Sequence, residues 1–174
     1  PIVVDGTLDE AAWQTAPAAV DFVQGEPDTG QPATEATEVR VLYDHDTLYV
    51  GAYLHDRDGG KAAVVNDIRK DFKSGDQDSF EVLLDTFGDR RNGYIFMTNP
   101  DGARADQQVA NEGREVNASW DAVWFVRTTS TADGTDTSVG VITAHARAKR
   151  SARACLMPVD SAPAIGWLPT KPSP

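Results

Sequence analysis

Glu38-Val39-Arg40-Val41-Leu42-Tyr43, then Asp44-His45-Asp46, then Thr47-Leu48-Tyr49-Val50-Gly51-Ala52-Tyr53-Leu54-His55 is the stretch on which the fold turns. In the first run Val39, Val41 and Tyr43 fall on one face. In the second, Leu48, Val50, Ala52 and Leu54 face one way, and Tyr49, Tyr53 and His55 the other. Alternation with period two marks a half-buried strand. The aspartates between the runs tolerate left-handed backbone and bond their own chain, which is turn chemistry. Two such runs joined by such a turn predict a β-hairpin.

The same pattern recurs on the C-terminal side. Ser79–Leu84 puts Phe80, Val82 and Leu84 on one face, and Gly93–Thr98 reads as its partner across a turn-rich segment, 86–92. Ala122–Arg127 separates Trp124 and Val126 from Val123 and Phe125, and Thr137–Ala144 is a further strand. Toward the N-terminus, Leu8–Thr15 predicts a helix capped by Thr7, with Glu10 completing a capping box and Trp13 anchoring the helix to a sheet. Gly60–Lys70 leaves helix and edge strand open. Gln24–Thr37, rich in Pro, Gly and Thr, predicts a surface loop ordered by contact. Short strands linked by Gly, Asp and Asn turns imply an all-β fold, an antiparallel β-sandwich of jelly-roll or immunoglobulin-like type with one or two short helices.

At 174 residues the chain is long enough for one core. Its net charge of −11 makes nucleic acid and anionic membrane surfaces poor partners. No apolar run is long enough for insertion of this segment into a membrane as a helix. Residues 1–127 hold 11 of the 16 Lys and Arg and 24 of the 27 Asp and Glu, so the tail differs in composition. Residues 144–154 are biased to Ala and Arg, and Pro follows repeatedly from Pro158. A module over 1–134 and a divergent segment over 135–174, foreign to the module or partly disordered, is the expected division. The opening Pro-Ile-Val-Val-Asp-Gly, with neither Met nor leader, reads as the start of a piece of something longer.

The residues argue against catalysis. The lone Cys155 and the scattered His45, His55 and His145 supply neither a zinc site nor a triad, and no Gly-x-Ser-x-Gly occurs. Asp78 and Glu81 lie three apart on a strand and face opposite sides, so they do not form a glycosidase pair. Met97 and His55 read as packing and surface residues rather than haem ligands. The acidic stretch Asp67–Asp85 is the place for a cation: Asp76 and Asp78 are the candidate ligands for calcium, which takes six to eight oxygens. Trp13 and Trp124 belong to the core. Trp120, in the polar run Asn117-Ala118-Ser119-Trp120-Asp121, is the candidate exposed platform for stacking on a sugar.

Three blocks, in order and spacing, resemble the carbohydrate-binding module family 9-like domains over roughly residues 1–127. They are Val4-Asp5-Gly6-x-Leu8-Asp9-Glu10-x-x-Trp13; Val39-Arg40-Val41-Leu42-Tyr43-Asp44 with Leu48-Tyr49-Val50 and Asp56; and Asp76-Gln77-Asp78-Ser79-Phe80-Glu81-Val82 through Asp85. Asp21-Phe22-x-Gln24-x-Glu26-Pro27, Asp89-Arg90-Arg91-Asn92-Gly93-Tyr94, Asn99-Pro100-x-Gly102 and Ser119-Trp120-Asp121-Ala122-Val123-Trp124 are similar to a narrower subgroup, found at the N-terminal side of large bacterial envelope proteins that continue into a β-barrel.

The resemblance implies a β-sandwich, a secreted, periplasmic or cell-envelope location, carbohydrate binding and, in some members, calcium. It implies Glu81 and Asn99 as partners for sugar hydroxyls. Sugar-binding members carry a stacking Trp just before the Asp-Ser-x-Glu strand, where this chain has Gly75. Their Phe-Arg-Val-Asn is Phe96-Met97-Thr98-Asn99 here. The expected function is a non-catalytic carbohydrate-binding module, accessory to a larger extracellular or envelope protein. Its partners would be an oligo- or polysaccharide and the remainder of the parent polypeptide. The alternative, which Gly75 and Met97 favour, is a structural or docking periplasmic domain that precedes an outer-membrane β-barrel and has no sugar affinity.

Overall fold

In a computed structural model, residues 1–57 and 63–130 are described in full, and strands 138–144 and 153–157 as backbone. The elements are α1 (Ala11–Thr15), β1 (Ala18–Ala19), β2 (Thr37–Tyr43), β3 (Leu48–Leu54), a 3-10 turn (Ser74–Asp76), β4 (Phe80–Asp85), β5 (Gly93–Thr98), β6 (Arg104–Ala110), β7 (Glu115–Asn117), β8 (Trp124–Thr129), β9 (Ser138–Ala144) and β10 (Arg153–Met157).

The 38–55 stretch forms the predicted hairpin. β2 and β3 pair antiparallel with Val41 opposite Val50 and Tyr43 opposite Leu48. Asp44 makes the turn: its Oδ1 accepts the amides of Asp46 (3.0 Å) and Thr47 (2.9 Å), and its Oδ2 accepts the Tyr49 hydroxyl (2.9 Å). Two five-stranded antiparallel sheets result, ordered β1-β2-β3-β9-β8 and β10-β4-β5-β6-β7. Their inner faces meet in the core that the alternation predicts. Val39, Val50, Ala52, Trp124 and Val126 from the first sheet pack on Phe80, Val82, Leu84 and Phe96 from the second. Phe96 meets Trp124 edge-on at 5.3 Å, an arrangement that the ring quadrupoles favour.

The N-terminal segment forms a partial third layer on the outer face of the first sheet. Leu8 and Trp13 bury themselves against Leu42, Tyr49 and Tyr53. Two glycines permit this seating. Gly6 adopts φ +93°, and a Cβ there would lie 2.5 Å from Thr129 Oγ1. Gly51 lies beneath the segment, where a Cβ would stand 2.8 Å from both Leu8 methyls. Arg40 closes the layer: its Nη1 donates to the carbonyls of Trp13 and Ala16, each at 2.8 Å, while Glu38 holds the guanidinium. The open carbonyl end of α1 is thereby satisfied by a cation.

Several expectations are corrected. The helix is a single turn, Ala11–Thr15, without a capping box. Glu10 reaches back to the Val3 amide (2.6 Å) and Asp5 accepts from Thr7, so the acid and hydroxyl groups shape a loop instead. Residues 63–68 are neither helix nor strand, and 58–62 lie outside the described residues. β6 was not legible, because Arg104, Asp106 and Gln108 occupy positions on its inward face where a strand pattern expects apolar residues. The predicted boundary near residue 134 lies outside the described residues. Among the described residues no helix is long and apolar enough to cross a membrane.

Candidate functional site

Glu81 alternates with Phe80 and Val82, both in the core, so its side chain belongs to the outer face of the second sheet. It is half-buried there, and Ser79 Oγ lies 3.4 Å from its Oε1. The register sets Met97 opposite Glu81 and Ala105 opposite Met97; one row on, Leu83, Ile95 and Gln107 stand side by side. Phe72 descends from the preceding loop onto Met97, Ala103 and Ala105 and covers one end of this face. The open part is a carboxylate and an amide beside aliphatic carbon, with β10 along its far edge.

Asn99, expected as a hydroxyl partner, does another job. It is 1% exposed. Its Nδ2 donates to Asp67 O (2.7 Å) and Gln77 Oε1 (3.2 Å), and its Oδ1 accepts the Ala103 amide (3.0 Å). Gln77 completes the network by accepting the amides of Asn66 and Asp67 and donating to Lys73 O. Together the two amides fasten the loop that carries Phe72. At the loop's surface the Arg69 side chain, aided by the Arg69 amide, holds the Asp67 carboxyl down to about 2.

The loop around Asp76 and Asp78 bonds its own backbone. Asp78 Oδ2 accepts the Val64 amide (2.7 Å) and Asp78 N donates back to Val64 O (2.9 Å), while the Asp76 carbonyl accepts from Asn66 Nδ2. Among the described residues no three His, Cys, Asp or Glu side chains are placed to hold a metal ion.

Trp120 is half-buried rather than a free platform. Its ring stacks on Tyr94 at 4.4 Å and meets Phe96 edge-on at 6.1 Å. Tyr94 and Phe96 lie on the inward side of the second sheet, so Trp120 and Glu81 sit on opposite sides of that sheet and the three predicted residues do not converge. Reasoning from sequence placed Asp85 only within the acidic stretch and missed Asp106; both are buried carboxylates that hold loops. It missed Phe87, an exposed aromatic whose only signal was its place among turn formers.

A model of the family described as carbohydrate family 9 binding domain-like matches residues 4–99. No curated protein sequence matches the chain. Among solved structures, the chain is similar to a carbohydrate binding module family 9 from Caldicellulosiruptor kristjanssonii in complex with cellotriose. The TM-score is 0.60 and the identity 17%, over 92% of this chain and 74% of that one. A second structure of a family 9 module from that organism, in complex with glucose, gives a TM-score of 0.57 and 16% identity over 92% and 76% of the two chains. At such identities the likeness is one of fold: a β-sandwich.

Proposed function

This chain belongs to the carbohydrate family 9 binding domain-like family, and from that premise we propose that it binds an oligo- or polysaccharide on the outer face of the second sheet. In this reading it is a non-catalytic accessory module of a larger protein that is secreted or held in the cell envelope. The observation that carries the reading is the placement of Glu81, a half-exposed carboxylate set among Leu83, Ile95 and Gln107. A pyranose ring offers an apolar C–H face and a belt of hydroxyls, and this face answers with aliphatic carbon and with groups that accept and donate. Asn99 then serves the site as scaffold, through the loop it fastens.

Glu81→Ala is expected to abolish the cellotriose-induced amide shifts of Leu83, Ile95 and Gln107 on this face; unchanged shifts there would remove Glu81 from the site. A second reading has its own support. Met97 is buried under Phe72 and no ring stands at Gly75, which suits a structural or docking domain that precedes an outer-membrane β-barrel. A chain that binds no sugar in a broad panel yet associates with the polypeptide that follows it would favour that reading.

A further inference from the structure

Beside the turn over 86–92 runs a row of aromatic rings that Glu81, on the other face of the second sheet, does not reach. Phe87 is 60% exposed and lies 6.3 Å from Tyr94, whose ring stacks on Trp120. Two separate turns present the outer rings, and a buried aspartate holds each. Asp85 accepts the amides of Gly88 (2.6 Å), Asp89 (3.2 Å) and Arg90 (2.9 Å), which fixes the turn that bears Phe87. Asp89 then takes the amides of Arg91 and Asn92 and the Asn92 side chain. Asp106, whose side chain is wholly buried, accepts the Ala122 amide at 2.5 Å, just beyond Trp120. Lys70 ties the same turn down through Asp121 at 3.1 Å.

Burying a carboxylate is costly unless it is bonded, so two of them devoted to turns mark geometry that the fold holds firmly. A rigid turn that displays a large apolar ring to water gains nothing for stability from the display. The neighbours of the rings are polar: the register sets Gln108 opposite Tyr94 and Asn117 opposite Gln108. One exposed ring and two half-buried ones are far too little for a protein interface, which takes about 800 Å² per partner. They suit one or two sugar rings, whose apolar faces stack on aromatics and whose hydroxyls need amide partners.

We propose that Phe87, Tyr94 and Trp120 form a second carbohydrate subsite at the rim of the sandwich, distinct from the face that bears Glu81 and pre-set by Asp85 and Asp106. The inference takes its ligand class from the proposed function but does not depend on Glu81.

The test is a ¹H–¹⁵N titration of the full chain with cellotriose, repeated in Glu81→Ala, Phe87→Ala and Trp120→Ala. Amide shifts over 86–92 and 117–122 are expected to persist in Glu81→Ala. In Phe87→Ala the affinity read from those shifts should fall about five- to tenfold. Phe87 is exposed, so that variant keeps the fold even if Trp120→Ala, which strips a ring from Phe96, does not. Shifts confined to the sheet face around Glu81 and indifferent to Phe87→Ala would overturn the subsite and leave the proposed function standing. No shift anywhere with any oligosaccharide would overturn both.

Discussion

Two glycines carry opposite consequences for a substitution. At Gly51 a methyl group would press on both Leu8 methyls at 2.8 Å and on Trp13 at 3.2 Å. Overpacking of this kind costs about 1–3 kcal/mol, more than the roughly 0.4–1 kcal/mol that Gly→Ala returns by restricting the unfolded chain. Gly51→Ala should therefore lower the free energy of unfolding by about 1–2 kcal/mol in a denaturant titration. At Gly75 a Cβ meets nothing within 4 Å, and the backbone is not left-handed. Gly75→Trp should fold normally and, under the proposed function, tighten cellotriose binding about five- to tenfold by supplying the ring that the resemblance expects there. An unchanged affinity would show that this loop does not border the sugar. The need for Gly51 was invisible in sequence, since a glycine within a strand says only that something comes close. What comes close is the N-terminal segment.

At the scale of elements, the loop over 66–79 shows how far local chemistry can be read. Its acidic composition was plain in the sequence and made Asp76 and Asp78 candidate ligands for a cation. The structure instead uses that loop's polar groups on its own backbone: Asp78 on Val64, Gln77 on Asn66 and Asp67, and Asn99 on Asp67 and Ala103. Asp67, held at about 2 against a usual value of 3.8, links this loop to pH. A depressed carboxyl contributes stability that is fully present above its unfolded value and is lost as pH falls toward the folded one. The thermal midpoint should thus fall between about pH 4 and pH 2, and fall less in Asp67→Asn than in the unsubstituted chain. Equal slopes for the two would show that the Arg69 pairing is as strong in the unfolded chain as in the loop. The strands divide in the same way. β2, β3, β4, β5 and β8 were readable because their inward residues are apolar. β6 was not, because its inward residues are Arg104, Asp106 and Gln108, each of which takes its meaning from the turn or ring beside it.

For the whole molecule, two sheets and a partial outer layer reproduce the predicted sandwich, and the core is the one the alternation named. Trp13 and Trp124, assigned to the interior from their neighbours alone, are among the most buried side chains. The site was less legible. Trp120 and Glu81 were expected to act together, yet the second sheet lies between them. Sequence by itself determined the hairpins, the two apolar faces and the turn at Asp44, because period-two alternation and aspartate turns are properties of a few adjacent residues. Only the tertiary structure decided which polar side chains remain open to a ligand and which are consumed as scaffold. A strand's alternation tells which way a residue points; what covers it there belongs to residues far away in the chain.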